Sequence, residues 1–414
     1  MSTIGSARPV AACRACSEVL TSVFVDLGLS PIANNLPLDG TAGPDAVYPL
    51  KAWYCSRCLL VQVEEVQAPS EIFSDYLYLS SYSSTWLEHV ASYASLAIQR
   101  LGLSRNSFVV ELASNDGHLL RNFQKAGCRV LGVEPAANVA ELAMEAGVPT
   151  AAEFFGARVA EQIRSTDGQA DLVVANNVLA HVPDLHDFIE GIRLLLAPGG
   201  TVTVEFPHLL HLIELGQFDT IYHEHFSYFS LRSAEYVFNY HGLTVYHVEE
   251  LPTHGGSLRL WVRHTGGDAA PTEAIATLRR TEREFGLDTE DPYSAFAGRV
   301  ENLRDRLCDT TANLKADGKR LVAYGAPAKA STLLNYCGIG PETLDFTMDA
   351  NPYKQGRLIP GVRVPIRSPA AFEGSDADVV FVLAWNLRRE ILSALAGRVP
   401  GTRFLFHQPA IELV

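Results

Sequence analysis

Four of the seven cysteines in this 414-residue chain form two C-x-x-C pairs, Cys13/Cys16 and Cys55/Cys58. Two intervening residues let both thiolates of a pair face one ion, and two such pairs complete a tetrahedral zinc site. Because four thiolates leave no open coordination position, the spacing favours a structural metal over a redox or catalytic one. The 38 residues between the pairs are expected to form a loop lobe of their own. The sequence therefore predicts an N-terminal lobe held together by zinc.

Length and composition bound the rest of the chain. The length suggests two or three domains, and we place them at 1–75, 76–250 and 251–414. With 47% hydrophobic and 19% charged residues, no membrane-length apolar run and no signal-peptide pattern, we expect a cytoplasmic protein without a membrane partner. A net charge of -14 argues against nucleic acid as a partner. We expect a monomer.

The middle of the chain has the pattern of an open α/β sheet. Residues 108–120 read as an apolar strand, a polar turn and a helix start, and 129–134 as a second strand ending in an acid. Further strands are expected at 171–175 and 200–205, which gives a doubly wound fold. The first turn lacks G-x-G-x-x-G, so a dinucleotide is disfavoured.

An acid at the end of the first strand, a small polar turn and an acid after the second strand resemble the S-adenosylmethionine site of class I methyltransferases, although two residues stand where that class usually has glycines. Either acid could instead be an ordinary strand-end carboxylate. The residues expected to contact the cofactor are Glu111, Ala113, Asn115, Gly117, Glu134, Pro135 and Asn176, with Ala113 and Asn115 at the glycine positions.

The run Tyr222-His-Glu-His-Phe-Ser-Tyr228 concentrates titratable and aromatic residues. It lacks the i, i+4 histidine spacing of a helical metal site, which favours proton transfer over metal binding. Histidine titrates near neutrality, and a neighbouring Glu or Tyr can orient it. Residue chemistry alone does not choose between His223 and His225 as the base. An aromatic loop that fills an interdomain crevice is the structural alternative.

The C-terminal part repeats the α/β pattern, with strands expected at 320–324, 345–349 and 378–384. The turn Gly325-Ala-Pro-Ala-Lys329 precedes a helix, where backbone N–H groups and a lysine can bind a phosphate. Trp385 and Asn386 end a strand on the same expected edge. With Ser257 of an upstream glycine turn, Lys329, Trp385 and Asn386 are the expected substrate contacts.

In this order, the cysteine pairs, the S-N-D-G turn, the Y-H-E-H-F-S-Y run, Thr253-His-Gly-Gly-Ser257 and Tyr324-Gly-Ala-Pro-Ala-Lys329 resemble the deoxysugar C-methyltransferase family over almost the whole chain. The resemblance implies a zinc lobe followed by two Rossmann-like domains. It also implies methyl transfer from S-adenosylmethionine to C-3 of a dTDP-linked 4-keto sugar, which could be a 3-amino sugar, in antibiotic biosynthesis.

The resemblance further implies that His225 is the base that forms an enolate. Glu224 would orient a ring or the substrate, Tyr222 or His181 would donate to the enolate oxygen, and Tyr76 resembles another site residue. The alternatives are methylation at C-5, a zinc-containing methyltransferase of RNA or protein, and a scaffold without chemistry.

Overall fold

The computed structural model describes residues 12–68, 71–72, 84–267, 270–395 and 401–414. No helix in those ranges has the length and apolar character needed to cross a membrane. In chain order the described strands are β1 (Ser22–Ser30), β2 (Tyr48–Tyr54), β3 (Val61–Val63), β4 (Phe108–Leu112), β5 (Arg129–Val133), β6 (Thr150–Ala151), β7 (Ala170–Asn176), β8 (Leu196–Pro207), β9 (Ser227–Tyr228), β10 (Leu243–Leu251), β11 (Ser257–His264), β12 (Leu321–Tyr324), β13 (Thr347–Met348), β14 (Ile366–Arg367), β15 (Val379–Val382), β16 (Arg403–Phe406) and β17 (Glu412–Leu413).

The α-helices alternate with these strands in the middle and C-terminal parts. Within the same ranges they are α1 (Ser84–Leu101), α2 (Leu120–Lys125), α3 (Ala137–Glu145), α4 (Ala157–Thr166), α5 (Leu185–Leu195), α6 (Leu209–Leu215), α7 (Leu231–Tyr240), α8 (Glu273–Phe285), α9 (Asp291–Ser294), α10 (Phe296–Ala316), α11 (Ala328–Cys337) and α12 (Arg388–Leu395).

The N-terminal sheet has the order β1-β2-β3-β9, and all its pairs are antiparallel. The segment between the cysteine pairs therefore contributes two strands, and it does not form the separate loop lobe expected from the sequence. Its apolar face packs on the C-terminal part of the chain, where the rings of Phe24 and Phe296 stack with centroids 4.3 Å apart. Arg363 also donates to the carboxylate of Asp45. An apolar face as large as this one has to be covered by another layer, which explains the docking.

The middle sheet has seven strands in the order β10-β11-β8-β7-β4-β5-β6. Strands β4 to β8 run parallel, whereas β11 is antiparallel to both of its neighbours. The five residues of β4 are all buried, as expected for a central strand covered by helices on both faces. The predicted doubly wound α/β fold is confirmed. Strand β11, which the sequence places at the start of the C-terminal domain, belongs to this sheet because it inserts between β8 and β10.

The C-terminal sheet has the order β14-β13-β12-β15-β16-β17, parallel except for β17. This second open α/β sheet was also predicted. Its β15 runs into the turn Trp385–Leu387, which contacts the turn Thr253–Gly255 before β11. The ligand-binding carboxyl edges of the two sheets therefore meet, and the site lies at this junction.

Candidate active site and metal centre

The four cysteine sulfurs of the N-terminal lobe lie within 4.8 Å of one another. Cys13 and Cys58 are 3.5 Å apart, and Cys16 and Cys55 are 3.4 Å apart, measured between Sγ atoms. A tetrahedral zinc ion with Zn–S bonds of about 2.3 Å places its sulfurs about 3.8 Å apart, so the cluster fits the ion with small adjustments. The amide of Gln62 donates to Sγ of Cys13 at 3.3 Å, the kind of outer contact that orients a ligand. These cysteines would hold zinc as a closed structural site.

The turn after β4 adopts an unusual backbone. Ala113 has φ of 52° and Asn115 has φ of 49°, both left-handed, and Gly117 follows with φ of 75°. The backbone thus takes a conformation that favours glycine, although two of the three residues carry a Cβ. Glu134 after β5 holds the turn, since its carboxylate accepts from the N–H groups of Asn115 and Ala136, both at 2.9 Å.

Unpartnered polar atoms line the same edge of the sheet. Glu111 is buried, and its Oε2 has no hydrogen-bond partner among the described residues. Burial raises the pKa of Glu111 well above its usual range, and the charges of Asp116 and Glu134 raise it further. Both amide atoms of Asn176, at the end of β7, also lack a protein partner in the described part of the chain. Buried polar groups are normally paired, so this edge fits a ligand rich in polar groups, such as S-adenosylmethionine. Pro135 continues the edge after Glu134.

The Tyr222–Tyr228 run crosses the junction of the three sheets as a turn before β9, and it holds His225 in one tautomer. Nδ1 of His225 lies 3.0 Å from the carbonyl oxygen of Thr220 and must therefore donate to it. Nε2 of the neutral ring is then an acceptor, and it accepts from the Tyr222 hydroxyl at 2.6 Å. Burial lowers the pKa of His225 well below its usual range, and the charge of His181 lowers it further. This ring stays neutral and basic at Nε2.

The ring of His181 lies edge-on to that of His225, with centroids 4.7 Å apart. Its Nδ1 donates to the carbonyl oxygen of Glu224 at 2.7 Å, and burial lowers the pKa of His181 to about 4. A neutral His181 in this tautomer presents Nε2 as an acceptor.

The side chains of His223 and Glu224, the other two titratable residues of the run, point toward the N-terminal lobe. Nε2 of His223 donates to the carbonyl oxygen of Pro49 in β2 at 3.1 Å. The Glu224 carboxylate accepts from the backbone and side-chain amides of Asn34 at 3.0 and 3.2 Å. Burial raises the pKa of Glu224. The carboxylate of Glu224 thus anchors the loop, while its carbonyl orients His181; sequence reasoning did not find Asn34.

On the C-terminal side, Nζ of Lys329 donates to Asn386 at 2.6 Å and lies 4.8 Å from the ring centroid of Trp385. Burial lowers the pKa of Lys329 to about 8, although the charge of Asp219 opposes this. Trp385 is buried, and its Nε1 donates to Asp219 at 2.7 Å. Buried His407 also lies 3.1 Å from the same carboxylate oxygen. Trp385 therefore packs below Lys329 and is itself held by Asp219.

Two other groups that were expected to contact the substrate already form hydrogen bonds within the protein. The Ser257 hydroxyl donates to the carbonyl oxygen of Thr253 at 2.9 Å and braces the turn before β11. In the Gly325–Lys329 turn, the N–H of Ala326 donates to the Asp349 carboxylate at 2.8 Å. That amide is not available to a phosphate, whereas the Lys329 ammonium lies at the junction and could bind one.

Comparisons with known proteins match all three parts of the chain. Family models match residues 13–73 as a zinc binding domain, 86–248 as a methyltransferase domain and 252–409 as a C-methyltransferase C-terminal domain. The C-methyltransferase NovU of Streptomyces niveus is 39% identical over 386 residues, which cover 93% of this chain and 92% of NovU. The chain belongs to the S-adenosylmethionine-dependent C-methyltransferase family. The family resemblance and the enzyme class expected from the sequence are confirmed, with S-adenosylmethionine and zinc as cofactors.

More distant similarities cover part of the C-methyltransferase. An uncharacterized methyltransferase of Mycobacterium leprae, ML2584, is 25% identical over 142 residues, 33% of this chain and 52% of its own. A crystal structure of magnesium protoporphyrin IX methyltransferase from Synechocystis PCC 6803 with bound S-adenosylmethionine covers 43% of this chain and 79% of its own, at 14% identity and a TM-score of 0.33.

The C-methyltransferase also contains a buried ionic network that sequence reasoning missed. Glu205 in β8 is fully buried and accepts from Arg259 of β11 at 2.9 Å. Nε2 of His89 lies 3.0 Å from the same carboxylate, and the Thr253 hydroxyl donates to it at 3.1 Å. The available signal was a charged residue inside each of two apolar strand segments. This network fixes the end of β8, where Glu205 pairs with Asn176 of β7.

Tyr76, the remaining expected site residue, lies outside the described residues.

Proposed function

We propose that this C-methyltransferase methylates C-3, the carbon next to the ketone, of a dTDP-linked 4-keto deoxysugar, with His225 as the general base. The observation that carries the proposal is the fixed tautomer of His225, which presents a basic Nε2 beside the Tyr222 hydroxyl. A carbon next to a ketone is weakly acidic, so its methylation needs a base and a donor to the resulting enolate oxygen. The run supplies both groups 2.6 Å apart.

The two roles divide as follows. His225 takes the proton from C-3 at Nε2, while the Tyr222 hydroxyl moves its hydrogen bond from Nε2 to the keto oxygen. His181 is the weaker donor, because its ring proton is already given to the carbonyl oxygen of Glu224. The His181 ring instead packs against the edge of the His225 ring. Glu224 anchors the loop that carries Tyr222 and His225.

The binding site for the methyl donor is the polar edge of the middle sheet. S-adenosylmethionine supplies an electrophilic methyl group when bound. Glu111 and Asn176 have unpartnered buried atoms for its polar groups, and the left-handed turn at Ala113 and Asn115 lets the backbone approach closely. Glu134 stabilises that turn. These residues position the methyl group, and positioning contributes strongly to such a transfer.

The nucleotide side rests on Lys329, which Asn386 and Trp385 hold at the junction. Among the described residues, the Lys329 ammonium donates one hydrogen bond, to the neutral amide of Asn386. A largely desolvated ammonium with that partner is suited to a diphosphate, whose charge would replace the solvation that Lys329 loses. Ser257 supports the turn on the opposite side. The four metal-binding thiolates suit the reducing cytoplasm, which we propose as the location.

The test incubates the zinc-loaded protein with S-adenosylmethionine and a panel of dTDP-4-keto sugars, then locates the new methyl group by NMR. We expect methylation at C-3, and His225→Asn to lower turnover at least about 100-fold while S-adenosylmethionine affinity is unchanged. His223→Asn, assayed where it is folded, serves as the comparison and should retain turnover. Near wild-type turnover of His225→Asn would remove His225 from the base role, and a methyl group at C-5 would correct the ring position.

A further inference from the structure

His254 occupies a strained position in the turn between β10 and β11. Its backbone is left-handed, with φ of 54° and ψ of 22°, a conformation that is sterically unfavourable for a residue with a Cβ. Two contacts of Thr253 hold the turn in place: its hydroxyl donates to Glu205, and its carbonyl oxygen accepts from the N–H of Gly256 at 2.9 Å. The strain is therefore imposed by the surrounding structure. Such strain is most often found at functional sites.

Both α/β domains fix this turn. A Cβ on Gly255, which has φ of 88°, would lie 2.5 Å from the ring of Trp385, so the backbone packs directly on the C-terminal domain. The Gln217 amide donates to the carbonyl oxygen of Gly255 at 3.0 Å. His254 is thus placed rigidly at the junction of the two sheets.

The His254 ring is held in the junction without a hydrogen bond. It packs on Trp86, with centroids 5.7 Å apart, and neither of its nitrogens has a hydrogen-bond partner among the described residues. Burial lowers the pKa of His254 to about 4; the charges of Lys329 and His89 lower it further, whereas that of Glu205 raises it. The turn that carries His254 contacts Glu205, the pairing partner of Asn176, on one side and Trp385, beside Lys329, on the other. The imidazole of His254 therefore lies at the junction, between the donor side and the nucleotide side of the site.

We propose that His254 is a further catalytic residue, which donates a hydrogen bond to the substrate's keto oxygen as that oxygen becomes an enolate. The inference rests on the proposed function and adds a second donor to Tyr222. His225 takes the C-3 proton, the C–H electron pair forms the enolate, and the negative charge on oxygen accepts from His254. The enolate carbon then bonds to the methyl carbon as the methyl–sulfur bond breaks, with that electron pair returning to sulfur.

A neutral histidine suits this role. An imidazolium ion would bind the ketone strongly before the reaction. Its positive charge would also oppose the protonation of His225. A neutral N–H strengthens its bond as charge develops on oxygen, which favours the transition state over the ground state. The strained backbone holds the ring at the junction, where no described residue forms a hydrogen bond with its nitrogens.

The test replaces His254 by Asn, which tolerates the left-handed backbone but cannot reach as far as the ring. We expect kcat to fall about 100-fold or more, KM to change less than about threefold, and the melting temperature to be maintained. His254→Gly should behave in the same way, because it also relaxes the backbone. His264→Asn, at the other end of β11, is the matched control and should keep wild-type kcat.

A second measurement separates this inference from the proposed function. With S-adenosylhomocysteine in place of the donor, the wild type should exchange the C-3 proton of the keto sugar with D2O, and His254→Asn should slow that exchange by the same factor as kcat. Wild-type exchange rates in both His254 variants would overturn the inference and leave His225 as the base. Absence of exchange and methylation in the wild type would instead overturn the proposed function. A raised KM with unchanged kcat in the His254 variants would also overturn the inference, because it would make His254 a binding residue.

Discussion

Burial and the hydrogen bond from Tyr222 together set the basicity of His225. The hydroxyl donates to the lone pair of neutral His225 at 2.6 Å, and a bond to the neutral form lowers the pKa of a histidine. Burial, the largest cause, and the nearby Lys329 ammonium act in the same direction. The base is therefore ready at neutral pH, and activity should be lost only well below pH 6.5, when His225 becomes protonated.

Tyr222→Phe removes the bond that stabilises neutral His225, so the pKa of His225 should rise. We expect the acid limb of the kcat/KM profile to move to higher pH by roughly half to one unit, since one hydrogen bond contributes about 1 kcal/mol. The rate at the plateau should also fall, because the phenol is a proposed donor. Tyr240→Phe, at a strongly exposed tyrosine, should leave the profile unmoved. An acid limb that stays in place or moves to lower pH in Tyr222→Phe would contradict the assigned hydrogen bond.

At the scale of elements, the short strand β9 joins the zinc lobe to the catalytic loop. Arg14, inside the first C-x-x-C pair, donates to the carbonyl oxygen of Phe226 at 2.9 Å, and the N–H of Val63 donates to the same oxygen at 3.1 Å. Phe226 directly follows His225. Arg14 and Phe226 are 212 positions apart in sequence, so the metal site helps to hold His225, the proposed base, in place. We therefore expect zinc to support activity without taking part in the chemistry.

Arg14→Gln should separate this role from metal binding. We expect the variant to retain zinc, measured by atomic absorption, because all four cysteines remain. Its stability should fall by about 1.5–3 kcal/mol, since a charged hydrogen bond to a buried carbonyl is lost, and kcat should fall more than S-adenosylmethionine affinity. The matched variant Arg57→Gln, in the second C-x-x-C pair and exposed, should behave as wild type. Unchanged kcat in Arg14→Gln would show that the lobe does not position His225.

Local patterns in the sequence predicted the elements that carry their own signal. The cysteine spacing and the acids at the end of β4 and after β5 follow from short-range chemistry, and the four cysteine sulfurs lie together as their spacing predicts. Strand β9 has two residues and no periodicity, so its pairing with β3 could not be seen. The insertion of β11 between β8 and β10 likewise depends on long-range pairing. Asn34 and His254 were missed because an isolated polar residue in a turn acquires its function only from what folds against it.

At the scale of the whole molecule, desolvation keeps four histidines around the junction neutral. Burial lowers the pKa of His181, His223 and His254 to about 4, and that of His225 well below its usual range. Unfolded histidines titrate near pH 6.5. Between these values the unfolded chain binds more protons than the folded one, so these groups stabilise the fold fully above about pH 6.5 and progressively less as the pH falls.

His223 allows this contribution to be measured apart from the catalytic groups, because it faces Tyr48 and the carbonyl oxygen of Pro49 in the zinc lobe. A shift from 6.5 to about 4 corresponds to a loss of about 2 kcal/mol between pH 7 and pH 5. His223→Gln, which can keep the bond to Pro49, should therefore lose less stability over that range than the wild type, as followed by thermal unfolding. Raised carboxyl pKa values, such as that of Glu224, act in the opposite direction but are common to both proteins and cancel in the comparison. His118→Gln, at a partly exposed histidine, should show the full wild-type loss, and an equal loss in His223→Gln would mean that His223 is not neutral in the folded protein.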